Sequence, residues 1–237
     1  MPDANEVLNI LRDTADPAAL PGMARFAIVT DGRLGLSIYD LRRIAKTIPP
    51  SHALALDLWE SGILDARLLA SMIDIPAEAT EEQLEKWVTD FNSWDICDQV
   101  CDNLFQHTRF AWQKIGEWYT REEEFVKRAA YALIACKAWH DKTASDRQLI
   151  ALFPIIRDGA ADPRNFVKKA VNWALRNIAK RNLALNQAAI AFSEELLLVD
   201  DKTARWIARD ALKEMQSEKM QARLKKPGVL KRALPSG

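Results

Sequence analysis

FVKRAAYAL (Phe125–Leu133) and FVKKAVNWAL (Phe166–Leu175) are two versions of one pattern, set 41 residues apart (166 − 125). A period of about 40 to 47 residues marks armadillo- and HEAT-type repeats, in which pairs of helices stack on their neighbours. Each pair buries its apolar face against the next, and the stack leaves an extended concave surface for binding. The two segments therefore predict an all-α chain, a curved α-solenoid of HEAT-like (armadillo-type) helical repeats, and a binding surface upon it.

Projected at about 100° per residue, the second copy places Lys169, Trp173, Arg176 and Lys180 on one face and turns Phe166, Ala170, Ala174 and Asn177 toward another. The equivalent positions of the first copy are Arg128, Ala132, Ala135 and Trp139. Each face carries at least one cation and an aromatic. One reading is a solvated face over which long side chains snorkel; the other is a surface for a polyanion.

Composition supports the class. With 49% apolar residues in 237, the chain has ample material for a core, and eight glycines, ten prolines and little apolar/polar alternation argue against a sheet protein. The formal net charge of zero conceals a division. Residues 1–120 carry 10 Lys/Arg against 19 Asp/Glu, and residues 121–237 carry 23 against 14, so the halves stand at −9 and +9. A basic half with cations on helix faces is the electrostatic footprint of a polyanion binder, although a solvated basic face is the commoner origin of such an asymmetry. No apolar run is long enough to span a bilayer, so no membrane partner is expected. Cys97, Cys101 and Cys136 form no extracellular disulfide framework, and with no apolar leader segment the expected compartment is the cytoplasm. Cys97 and Cys101, four residues apart with His107 nearby, have a spacing that a metal could use, but buried core thiols are the preferred reading. No metal and no cofactor are expected.

Start and stop signals punctuate the chain at the rhythm of short paired helices. Helices are predicted over 3–12, 17–29, 37–48, 51–61, 65–74, 80–91, 93–106, 109–119, 121–140, 145–157, 163–181, 184–198 and 201–224. Ser37 with Asp40 and Thr80 with Gln83 read as capping boxes, and Pro163 after Asp162 suits a first helical turn. Pro49-Pro50, Ile75-Pro76 and Asp158-Gly159 read as breaks. The segment Asp31-Gly32-Arg33-Leu34-Gly35 lacks the spacing of a phosphate cradle and is assigned no chemistry. The chain reads as one helical-repeat domain over 1–224 with a basic, mobile tail over 225–237, the basic run itself starting at Arg223.

The chemistry concentrates after Asn92-Ser93, an N-cap for the helix Trp94-Asp95-Ile96-Cys97-Asp98. Ile96, Cys97, Val100 and Leu104 form its buried stripe, with Trp94 and Asp98 together at the edge. Partial desolvation beside an aromatic raises a carboxylate's pKa, whereas a helix N-terminus and a nearby cation favour its charged form. An acid in a polyanion groove repels phosphate and needs another benefit. Breaking an N-glycosidic bond develops oxocarbenium character on the sugar, which a fixed carboxylate stabilises. The alternative is that Asp95, Asp98 and Asp102 are ordinary acids complementing a helix dipole.

SWDICD (Ser93–Asp98), FVKRAA (Phe125–Ala130) and FVKKAVNWALR (Phe166–Arg176), in this order and at these intervals, resemble the bacterial DNA alkylation repair glycosylases of the AlkD type. The resemblance runs from about residue 23 to residue 181. It implies a curved stack of HEAT-like repeats that holds duplex DNA in its concave face and excises positively charged alkylated bases, such as 3-methyladenine and 7-methylguanine, without flipping them into a pocket. By position Asp98 resembles the catalytic acid, Trp94 and Trp173 the two aromatics against the deoxyribose, and Arg128 the arginine on the DNA backbone. Lys169, Arg176 and Lys180 join as phosphate contacts. Where the family carries a second aromatic before the tryptophan, Ser93 stands here.

The leading expectation is thus a monofunctional alkylpurine DNA glycosylase acting as a monomer on duplex DNA, with no required protein partner. Two alternatives stay open: a noncatalytic repeat protein that binds branched or damaged DNA, and a protein-binding solenoid.

Overall fold

The structure, a computed structural model, describes residues 2–226, and every regular element among them is helical. The chain falls into two compact units, Met1–Ala111 and Trp112–Gly237. A stack whose repeats touch only their neighbours divides wherever its contacts thin, so this division does not bear on the expectation of one domain over 1–224.

The first unit holds α1 (Ala4–Asp13), α2 (Leu20–Arg25), α3 (Ile38–Ala45), α4 (His52–Glu60), α5 (Leu64–Ile73), α6 (Glu81–Thr89) and α7 (Trp94–Asn103). Its centre is α5, which packs on α3, α4 and α7. The sequence LDARLLASMI is small or apolar nearly all round, and eight of its ten residues are buried. Trp59 and Trp87 stack in parallel at 3.9 Å, and the Trp59 indole N–H donates to Asp90 at 2.8 Å. Satisfying its polar N–H is what allows the large Trp59 ring to be fully buried.

The second unit holds α8 (Ala111–Trp118), α9 (Glu124–His140), α10 (Asp146–Ile150), α11 (Phe153–Gly159), α12 (Asn165–Ala179), α13 (Leu183–Leu197), α14 (Lys202–Met215) and α15 (Glu218–Leu224). The helices α9, α12 and α14 lie side by side, with α13 against both α12 and α14. The sequence echo is a physical contact: the Phe125 and Phe166 rings sit 5.4 Å apart. Farther along the same pair, the Asn177 amide donates to the Ala135 carbonyl at 3.1 Å, and Arg181 donates to the carbonyls of Ala138, Asp141 and Ala144. On its other side, α12 reaches α14 through the Asn172 amide and the Ile207 carbonyl at 3.2 Å. Buried amides that find carbonyl partners satisfy themselves and fix the register of neighbouring helices.

Several predicted boundaries change, each for a local reason. The expected helix over 145–157 is two helices, because Pro154 lacks an N–H and sits in the first turn of α11 instead of the interior of α10. That over 201–224 breaks at Ser217, whose hydroxyl accepts from the Met220 N–H and starts α15. The one over 17–29 stops at Arg25, since Ala27 takes a left-handed φ of 56°. The one over 93–106 ends at Asn103, with a 3-10 turn at Phe105–His107. Pro163 lies outside its helix, which begins at Asn165 behind the N-cap Arg164. Ser37 and Thr80 do cap, accepting from the N–H of Asp40 and Gln83. Neither completes a capping box: the Gln83 side chain goes instead to Asp74 at 2.6 Å. Gly159 is helical and serves a close approach, because a Cβ there would fall 2.2 Å from the Tyr131 hydroxyl oxygen on α9. Arg223 belongs to α15, with its guanidinium on the Lys180 carbonyl and over the Trp139 ring. The rest of the expected tail beyond Lys226 lies outside the described residues.

Among the described residues no helix is long and apolar enough to cross a membrane. The three cysteines are buried, and no group of three or more His, Cys, Asp or Glu among the described residues is placed to hold a metal.

Candidate nucleic-acid interface

In the first unit the acid-bearing helix is clamped at its start. Ser93 is the N-cap of α7, extended at φ −146°, yet its hydroxyl does not cap the helix. It accepts from the Val29 N–H at 3.2 Å and donates to an Asp95 carboxylate oxygen at 2.5 Å. The other Asp95 oxygen accepts from Arg33, whose side chain is 2% exposed and whose Nε donates to the Val29 carbonyl at 3.1 Å. Arg33 is placed in turn by Asp65, whose carboxylate accepts from the N–H groups of Leu34 at 2.7 Å and Leu36 at 3.0 Å. Burial holds the Asp65 carboxyl above its usual range despite those bonds. One closed network therefore fixes the loop Val29–Leu36 and the first turn of α7 against each other.

Trp94 and Asp98 sit at the half-buried edge of that helix while Ile96, Cys97, Val100 and Leu104 fill the core, as their spacing predicts. The Trp94 indole N–H donates to the Phe26 carbonyl at 3.0 Å, tethering the loop that contains Ala27. The left-handed Ala27 costs roughly 1–2 kcal/mol, a strain that persists because Trp94 and Ser93 hold the loop from both ends. Phe26 itself is 74% exposed. The three acids of α7 thus differ in their surroundings. Asp95 is tied to Ser93 and Arg33, Asp102 accepts from the Gln106 amide at 3.0 Å, and Asp98 lies one turn from Trp94 on the edge.

In the second unit the predicted cations are not equivalent. Arg128 is only 5% exposed and donates through Nη1 to the Phe166 carbonyl, joining α9 to the first turn of α12. Lys169 is exposed and forms no ion pair among the described residues, and Trp173 beside it on α12 is half-buried. Arg176 and Lys180 both pair with Glu214 of α14, at 2.7 and 2.8 Å. Burial pushes the Glu214 carboxyl up, but Lys180 and Arg176 outweigh it and hold it below the usual range.

The predicted residues therefore belong to two groups, Trp94 and Asp98 in the first unit and Arg128, Lys169, Trp173, Arg176 and Lys180 in the second. Sequence reasoning missed Arg33, in the loop it assigned no role, and Glu214. Arg33 and Asp95 are 62 residues apart and Arg176 and Glu214 are 38 apart, so no helical period connects either pair.

Stacked helical pairs with register-matched neighbours define a HEAT-like helical-repeat protein. Residues 7–215 match the model of the family described as DNA alkylation repair enzymes, and the chain belongs to that family. Among solved structures, it is similar to one described as a new family of proteins related to the HEAT-like repeat DNA glycosylases with affinity for branched DNA structures. That similarity has a TM-score of 0.77 and 20% identity over 94% of this chain and 96% of that one. An engineered protein (TM-score 0.43, 16% identity, 76% of this chain and 86% of that one) and a designed armadillo repeat protein in complex with a peptide (0.33, 17%, 81% and 88%) are more distant. No curated protein matches the sequence.

Proposed function

We propose that the chain is a monofunctional DNA glycosylase that removes positively charged alkylated bases from duplex DNA. The observation that carries the reading is the edge of α7: a half-buried carboxylate, Asp98, one helical turn from the anchored indole of Trp94, in a chain of the DNA alkylation repair enzyme family. As the N-glycosidic bond breaks, its electron pair neutralises the departing cationic base, and positive charge develops on the sugar. Asp98 stabilises that oxocarbenium character, and water adds at the anomeric carbon, its proton passing to Asp98 or solvent. A base that already carries its charge needs no general acid, so cationic lesions are the substrates and extrusion into a pocket is dispensable. Trp94 packs on the sugar, Trp173 and Lys169 of α12 offer an aromatic face and a phosphate contact, and Arg128, buried against the Phe166 carbonyl, supports α12 from within. Arg176 and Lys180 contribute only as far as they leave Glu214. The product is an abasic site without a strand nick.

The direct test is release of methylated purine from alkylated duplex DNA by the intact protein. Asp98→Asn, which keeps size and half-burial, should lower the rate about 10²- to 10³-fold while DNA binding persists. An unchanged rate would sink the mechanism. A second reading, a noncatalytic binder of branched DNA, is favoured by the description of the relative at TM-score 0.77. It predicts salt-sensitive binding of branched DNA and no base release from the wild type.

A further inference from the structure

The helix α14 carries a surface that neither the repeat echo nor the glycosylase reading uses. Lys202, Trp206, Arg209 and Lys213 recur at intervals of four, three and four residues, so they form one stripe. Lys202, Arg209 and Lys213 are exposed, and Trp206 is 40% exposed. Lys168 reaches across from α12 and sets its ammonium 4.8 Å from the centre of the Trp206 ring. None of these four cations has an ion pair among the described residues. The neighbouring Arg205 differs, being paired with Asp200 at 3.0 Å. One acid, Asp210, stands among them, 4.0 Å from Arg176. The stripe lines a shallow open depression of about 430 Å³ and runs over roughly 16 Å of helix.

We propose that this stripe is a second nucleic-acid site, built for unpaired nucleotides of single-stranded DNA. The charge pattern selects a polyanion, since four uncompensated cations gather around one face. The indole selects the strand. In a duplex the faces of the bases are hidden in the stack, and a protein that meets only phosphates has no use for an exposed tryptophan. An unpaired base offers a free π-face, and base–aromatic stacking within a basic groove is the usual means of holding single strands. Lys168 on the ring adds a cation that faces both the indole and an incoming phosphate. The protein would thus hold an unpaired flank, overhang or branch of the DNA it handles.

The experiment compares a blunt duplex with the same duplex bearing a short oligothymidylate overhang, by fluorescence anisotropy with the full chain over a salt series. The overhang should tighten binding about tenfold, the scale of one good stack. Trp206→Ala should erase that gain while leaving blunt-duplex binding and base release unchanged, and Trp206→Phe should retain most of it. Lys202→Gln with Lys213→Gln should flatten the salt dependence of overhang binding. Because Trp206 is on the surface, circular dichroism should show these variants folded. If the overhang adds nothing, the proposal fails. It also fails if Trp206→Ala weakens both DNAs equally, which makes the stripe a duplex contact, or if an acidic peptide competes as well as oligothymidylate, which makes it a protein-docking face. Base release by the wild type tests the glycosylase reading separately, so either idea can fall without the other.

Discussion

The helices α9 and α12 start with nearly the same words, Phe-Val-Lys-Arg-Ala and Phe-Val-Lys-Lys-Ala, and meet different fates. In α9 the repeated cation, Arg128, is buried against the Phe166 carbonyl; in α12 its counterpart, Lys169, is in water. What separates them is the sequence that follows. From Ala129 to Cys136, α9 carries no charge and is buried throughout, whereas α12 brings Trp173, Arg176 and Lys180 back to one face. A helix apolar on all sides is enclosed, and an amphipathic one keeps a surface. The repeat therefore sets register, and the residues between its fixed points decide exposure. A cation at one register position becomes an internal staple in one copy and a surface charge in the next.

The largest expected effect comes from breaking the staple. Arg128→Met keeps the aliphatic stem but removes the donor on Phe166, and losing a buried charged hydrogen-bond partner costs about 1–3 kcal/mol. Thermal unfolding should show a drop of roughly 2–4 °C per kcal/mol for a chain of this size. Lys169→Met should stay within about 0.5 kcal/mol of the wild type. Equal losses in the two variants would erase the distinction between the helices.

Next is the clasp that occupies half of the α12 face. Glu214→Gln removes one charge and releases Arg176 and Lys180, so duplex DNA affinity should rise a few-fold and its salt dependence steepen by up to about 2 in the logarithmic slope. Stability should fall by less than about 1 kcal/mol, as expected for partly exposed pairs. The pH dependence has a definite sign. A carboxyl whose pKa is depressed on folding contributes stability above its unfolded value, near 4.5, and loses it as pH falls through the lowered folded value. The wild type should therefore converge on the variant only in acid, and a difference that vanishes already near neutral pH would mean the clasp is not ionic.

The same contrast explains what could be read from the sequence. The register of α9 on α12 was legible because it repeats, and the Trp94–Asp98 edge was legible because four residues make one turn. Helix ends moved where a single residue overrode periodicity, as at Pro154 and Ala27. The Arg33–Asp95 lock and the Glu214 clasp were silent, because each joins distant segments through side chains that obey no period. The burial of Arg128 was silent as well: the tetrad Phe-Val-Lys-Arg is the same string whether its arginine points into water or into a neighbouring helix.

The smallest effect is the most discriminating. Lys169 is exposed with no ion pair among the described residues, so its contribution to binding is a point charge near phosphate, without a buried partner to leave behind. Lys169→Gln should weaken duplex binding only a few-fold, uniformly across sequences, and reduce the salt slope by about 1. Its melting temperature should not move. Arg128→Met, by comparison, should lower stability even in the absence of DNA. If Lys169→Gln instead left the salt slope intact, α12 would be presenting that face to something other than a phosphate backbone. The shared phrase Phe-Val-Lys would then mark a packing register alone, with no electrostatic role at its second occurrence.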